Sequence, residues 1–238
     1  VAGALVLATR AVHSSDIVPG KDWPAWRGPA QNGIAAPGRN PPVEWNESRN
    51  ILWQAPIPGR GHGSPTVVGD RIYLATADHL KQTQSVLCLD RTTGKAAWSA
   101  DVHQGSLDRG GHRNTSQASS TVACDGERLY INFLNGGAVH TTALDLNGRQ
   151  LWQRKIGAFV THQGFGSSPV VHGPLVLVSA DHKGGGTIAG LDRLTGKVVW
   201  SVSRPKIANY TSPAVVRAKG RDQMLLAGCN LISSLDPL

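Results

Sequence analysis

One pattern recurs four times along the chain and limits what it can fold into. Ser64-Pro65-Thr66-Val67-Val68 opens the first copy, Leu89-Asp90-Arg91-Thr92-Thr93-Gly94-Lys95 continues it and Trp98 closes it. Ser168-Pro169-Val170-Val171 leads through Leu191-Asp192-Arg193-Leu194-Thr195-Gly196-Lys197 to Trp200. A looser copy runs from Thr121-Val122 through Asp145-Leu146-Asn147-Gly148-Arg149 to Trp152, and a fourth from Ser212-Pro213 to Leu235-Asp236-Pro237-Leu238. Trp53, Trp98, Trp152 and Trp200 lie 45, 54 and 48 residues apart. A period near 50 residues marks a repeat architecture.

Each copy reads as four short strands. In the first these are Thr66–Val68, Arg71–Thr76, Ser85–Leu89 and Ala96–Val102. Gly69-Asp70 and Thr93-Gly94 supply turns between them, as Asp125-Gly126 and Asn147-Gly148 do in the second copy. No stretch of residues 50–238 carries a 3.6-residue apolar period. A lone four-stranded sheet buries little, so such units stack face to face. The expected fold is all-β: a β-propeller of four-stranded antiparallel blades, with about four blades present. Recurrence in every unit assigns Asp90, Gly94, Trp98, Asp145, Gly148, Trp152, Asp192, Gly196 and Trp200 to building the fold. The aspartates are expected to accept backbone N–H bonds in the turns, and the indoles to dock between blades.

The predicted organisation is a signal-peptide remnant over 1–16, an extended segment over 17–49 and the repeats over 50–238. Blades fall at about 60–102, 113–156, 162–204 and 209–238, with an extra strand at 50–57. The apolar run Val1–Ala8 resembles the tail of a secretory signal, which predicts export to the periplasm or cell envelope. No later segment is apolar enough to span a membrane. Glycine is 28 of 238 residues, about 12% against a usual ~7%, as many tight turns require. The net charge is 24 − 16 = +8, but the basic residues are scattered and aromatics are only 5%, so no nucleic-acid surface is predicted. Cys88, Cys124 and Cys229 are isolated in sequence, which gives a Cys-based metal site no support, and Cys88 and Cys229, in apolar strands, fit small buried side chains.

Leu-Asp-x-x-Thr-Gly-Lys-x-x-Trp, at 89–98 and 191–200, resembles the repeat of the quinoprotein, or pyrroloquinoline quinone (PQQ)-like, β-propellers. That group includes PQQ-dependent alcohol dehydrogenases and the outer-membrane assembly lipoprotein. Asp22-Trp23-Pro24-Ala25-Trp26-Arg27-Gly28-Pro29 is similar to the opening of exported PQQ-like propellers of planctomycete type. The resemblance implies a piece of a seven- or eight-bladed propeller. For the dehydrogenases it implies PQQ on a vicinal disulfide, with calcium on Glu, Asn and Asp side chains and a catalytic Asp. None of that set is placed on this sequence.

Propeller sites gather at the channel mouth, on loops that enter the innermost strands. The residues before each Ser-Pro-type step define a candidate ligand pocket: Arg60, His62, His112, Arg113, Asn114, His162, Gln163, Asn209 and Tyr210. Its polar loops also suit mutual hydrogen bonding around ordered water. No catalytic residue and no metal ligand is assigned. Two functions follow. One is a non-catalytic exported binding or scaffold propeller without cofactor, whose partner is an unknown protein or small molecule. The other is a PQQ- and calcium-dependent dehydrogenase of alcohols or sugars, or a degenerate relative. Asp78-His79 and Asp181-His182 follow second strands at matching positions and predict a loop-fixing hydrogen bond.

Overall fold

The computed structural model describes residues 16–108 and 111–238. The proposed signal remnant therefore falls almost wholly outside the described residues. Fifteen strands and no helix make up the described chain. The first sheet runs β1 (Thr66–Val68), β2 (Arg71–Asp78), β3 (Thr83–Asp90) and β4 (Ala96–Gln104). The second runs β5 (Ala123–Cys124), β6 (Arg128–Asn135), β7 (Ala138–Asp145) and β8 (Gln150–Ala158). β9 (Val170–His172), β10 (Leu175–Ser179), β11 (Gly186–Asp192) and β12 (Val198–Arg204) form the third. The fourth holds β13 (Ala214–Ala218), β14 (Arg221–Gly228) and β15 (Leu231–Leu235). Every pairing is between consecutive antiparallel strands, as short hairpin turns dictate.

Side-chain alternation glues the sheets together. In β6, Leu129, Ile131 and Phe133 join Tyr73, Val86 and Cys88 of the first sheet in one core. Tyr130, on the opposite face, joins Val176, Val178, Ala189 and Leu191 of the third. In β10, Leu175 and Leu177 turn the other way, to Met224 and Leu226 of the fourth. A period of two thus splits each middle strand between two neighbouring cores. This is why β3 and β6 are buried on both faces, whereas the outermost strands β4, β8 and β12 are mostly exposed.

An indole ladder links the blades at their outer turns. Trp98 Nε1 donates to Leu146 O at 3.1 Å and Trp152 Nε1 to Arg193 O at 3.1 Å. Trp200 Nε1 donates to Pro237 O at 3.3 Å. Leu146 and Arg193 lie in the turn of the following blade, and Pro237 follows the last strand of the fourth. The ring then covers that turn's glycine: Trp98 lies over Gly148 and Trp152 over Gly196. Those glycines hold φ of 87° and 69°, a left-handed conformation that glycine adopts freely. The turns are fixed from inside by Asp90, Asp145 and Asp192, each of whose Oδ1 accepts two backbone N–H bonds.

Residues 50–57 depart from expectation, because they form no strand. A strand needs a hydrogen-bonded neighbour, and among the described residues no strand pairs with this segment. Trp53 nevertheless takes the docking position, with Nε1 donating to Arg91 O at 3.0 Å and its ring over Gly94. With that strand absent, the described residues hold fifteen strands.

Candidate functional site

The first strands of the four blades, β1, β5, β9 and β13, lie side by side along the propeller axis. The Ser-Pro-type step before each has a specific use. Ser64 N donates to Thr121 Oγ1 at 2.9 Å, Thr121 N to Ser168 Oγ at 2.9 Å, and Ser168 N to Ser212 Oγ at 2.8 Å. One hydroxyl per blade thus passes the chain of bonds to its neighbour. The signal for this was in the sequence, as a Ser or Thr recurring at one repeat position, but it reads there only as the start of a strand.

The N-terminal segment crosses these strands as a strap. Trp23 and Val67 exchange backbone bonds of 2.7 and 3.0 Å, Cys124 N donates to Pro24 O at 2.8 Å, and Val215 N donates to Gln31 Oε1 at 2.8 Å. Val67, Cys124 and Val215 hold the same place in their repeats, three residues after the step. Inner strands have one edge that no blade neighbour covers, and the strap satisfies it. Asp22 anchors the strap's start, accepting from Val18 N at 2.7 Å and Gly69 N at 3.0 Å.

Between strap and mouth loops lies a cavity of about 540 Å³. Trp26, Arg27 and Gln31 come from the strap; His62 and Tyr210 come from the loops; Ser168 and Ser212 belong to the hydroxyl chain. His62 is carried by Gly61-His62-Gly63, whose backbone approaches the next blade so closely that a Cβ at Gly63 would strike Ser120 O. His62 N and Gly63 N both donate to Ala118 O, at 3.0 and 3.2 Å.

Of the nine residues proposed from sequence, the structure brings His62 and Tyr210 to this cavity. His162 reaches it indirectly, since its Nδ1 shares a 2.9 Å hydrogen bond with the Tyr210 hydroxyl. Arg60 instead pairs its backbone with Ala77. His112, Asn114 and Gln163 form a separate loop cluster, with His112 N donating to Gln163 O and Asn114 N to His112 Nδ1. Arg113 is exposed in that loop. Asn209 turns into a buried network, donating to Asp181 Oδ2 at 3.1 Å and to Ala227 O at 3.1 Å. Trp26, Arg27 and Gln31 were missed, because the strap carries no periodicity that would place it on the axis.

The two Asp-His pairs differ from each other: Asp78 makes the expected loop-fixing bonds, whereas Asp181 is drawn into an ion pair. Asp78 Oδ1 accepts from Leu80 N and Lys81 N, which fixes its loop and holds its carboxyl below the usual range. Asp181 pairs with Arg204 at 3.2 Å, the two side chains being 1% and 3% exposed. Arg204 also donates to Ser233 Oγ and Gly228 O, so this ion pair ties the third blade to the fourth.

Among the described residues, no three His, Cys, Asp or Glu side chains come together as a metal site would need. The residues described as lining the cavity include no carboxylate to hold calcium. Cys88, Cys124 and Cys229 are each buried and free. Burial pushes the thiols of Cys88 and Cys124 up to about 12. The described lining of this cavity therefore does not fit a calcium–quinone pair.

Face-to-face antiparallel sheets around axial inner strands make this an all-β repeat protein of the propeller class. Residues 27–180 match the family model described as outer membrane protein assembly factor BamB, and the chain belongs to that PQQ-like repeat family. It is 26% identical over 164 residues to a polyvinylalcohol dehydrogenase of a Pseudomonas species, an alignment taking in 63% of this chain and 24% of the relative. Among solved structures it is similar to quinohemoprotein alcohol dehydrogenase from Comamonas testosteroni, at 18% identity and TM-score 0.54, over 78% of this chain and 28% of that one. BamB from Moraxella catarrhalis also matches, at 16% identity and TM-score 0.45, over 71% of this chain and 47% of that one. The chain spans about a quarter of the length of the dehydrogenases it matches. No helix among the described residues is long and apolar enough to cross a membrane.

Proposed function

We propose that this chain is a non-catalytic, exported propeller that binds a small ligand or a partner segment at its channel mouth. The observation that carries this reading is the cavity of about 540 Å³ framed by strap, hydroxyl chain and mouth loops. Its volume is that of a small-molecule site, and its walls combine an exposed indole with convergent polar groups. The same walls hold no nucleophile paired with a base and no carboxylate pair, so binding suits them better than turnover. Membership of the family described for the assembly factor BamB supports a scaffold role in the cell envelope.

A second reading, a quinoprotein oxidoreductase acting on alcohols or sugars, draws on the identity with polyvinylalcohol dehydrogenase. In that reading PQQ and calcium would have to be held mainly by residues other than those lining the cavity.

A thermal-shift survey of small metabolites tests the first reading, run on the wild type and on a His62→Ala/Tyr210→Phe variant. At saturation, about 100 times Kd, a ligand adds roughly 2.7 kcal/mol to the native state and raises the wild-type midpoint. The variant, altered only at exposed side chains, should keep its own midpoint and lose the ligand response. A ligand that stabilises both proteins equally would place binding elsewhere and overturn the reading.

A further inference from the structure

The cavity is a donor-rich cup. Among the described residues that line it, Arg27 is the only charged side chain. Ser168 Oγ and Ser212 Oγ each accept a backbone N–H from the hydroxyl chain, which orients them and leaves their O–H groups to donate. Gln31 commits its Oε1 to Val215 N, so its amide NH₂ remains as a donor. Arg27 gives one N–H to Asn32 O at 3.1 Å, out of the five a guanidinium carries.

Arg27 and Gln31 also share an unusual backbone. Their φ angles are 64° and 52°, left-handed values that cost a non-glycine residue about 1–2 kcal/mol. Strained residues of this kind concentrate at ligand clamps and active sites. The turns are held by Gly28 N to Ala25 O, Gln31 N to Gly28 O and Gly33 N to Arg27 O. The strap is thereby fixed in a shape that presents both long polar side chains at the cup. Trp26, 40% exposed, lines the same cup, and its ring offers a flat apolar surface.

A cup with several donors, one fixed cation and no described carboxylate repels cations and suits a ligand rich in acceptors. We infer that it takes a small organic anion of pyranose size, with a carboxylate at Arg27 and an apolar face on Trp26. This rests on the mouth-binding reading and deepens it by naming the ligand class. It also makes the strap, rather than the mouth loops, the element that sets specificity.

Three pyranoses of one shape and different charge separate the possibilities: glucuronate, glucose and glucosamine. Each is titrated into the full chain and followed by calorimetry and indole fluorescence. Glucuronate should bind about tenfold tighter than glucose, with glucosamine weakest. That preference should shrink at about 0.5 M salt, because Arg27 is exposed and screened. Arg27→Gln should bring glucuronate affinity down to that of glucose, and Arg27→Lys, which keeps the charge, should restore most of the difference, a rescue that a structural role for Arg27 would not give. Glucose or glucosamine binding as tightly as glucuronate would overturn the anion assignment but leave mouth binding intact. Absence of binding by all three would also overturn it, and the metabolite survey then decides separately whether the mouth binds anything.

Discussion

Replacing Gly196 with alanine tests the indole ladder, provided that a second glycine serves as reference. Gly196 has φ 69°, and a Cβ there would lie 2.6 Å from Cε3 and 2.7 Å from Cδ2 of Trp152. The ring has little freedom to retreat, because Nε1 is bonded to Arg193 O and Tyr130 stands 6.0 Å away, centroid to centroid. Gly220 has φ 80° with nothing within 4 Å of such a Cβ. Both substitutions carry the left-handed strain of about 1–2 kcal/mol, reduced by roughly 0.4–1 kcal/mol as alanine restricts the unfolded chain. Only Gly196→Ala adds overpacking, at about 1–3 kcal/mol. Gly220→Ala should therefore cost about 1 kcal/mol and Gly196→Ala about 2–4 kcal/mol. Urea unfolding followed by tryptophan fluorescence would read the difference as a gap between midpoints of roughly 0.3–1 M, for a slope near 3 kcal/mol/M. Equal losses at the two glycines would refute the claim that the indole, and not the turn alone, locks the blades together.

Two further outcomes follow from buried polar groups. Arg204→Met leaves Asp181 buried without its cation and should destabilise by about 3–5 kcal/mol in the same assay, whereas Asp181→Leu combined with Arg204→Met should recover much of that loss. His103 packs 5.1 Å from His140, ring to ring, and burial together with that neighbour pushes its imidazole down to about 4 from 6.5. The unfolded chain then binds the extra proton, so the stability due to neutral His103 is complete above pH 6.5 and declines as pH falls toward 4. Unfolding of His103→Gln should show a shallower loss over that window; an unchanged pH slope would exclude His103 as its source.

The fold was legible because its information is periodic. Turn glycines, apolar strands and Trp positions return about every 50 residues, and a period-two strand buried on both faces needs a sheet on either side. Register at the margins was not legible. Residues 50–57 carry the Trp of a fourth strand, but strand pairing depends on a neighbour that the local sequence does not describe. The site was legible only in part. Loops before the Ser-Pro-type step were read as one polar ring, yet loop sequence does not reveal where side chains turn. His62 and Tyr210 face the cavity, whereas Asn209 is drawn off by Asp181, a carboxylate 28 residues away in sequence. The strap contributes Trp26, Arg27 and Gln31 through hydrogen bonds to strands up to 184 residues distant, and such long-range backbone pairing leaves no pattern in a single chain.

Equilibrium dialysis of the purified protein against PQQ, with and without calcium, bears most directly on whether this propeller binds or catalyses. It should be followed by dye-linked alcohol oxidation. A binding propeller with a carboxylate-free cup should show no calcium-dependent, stoichiometric quinone and no turnover. One quinone per chain, retained only with calcium and reducing the dye when alcohol is added, would contradict that reading and place this chain among the quinoprotein oxidoreductases.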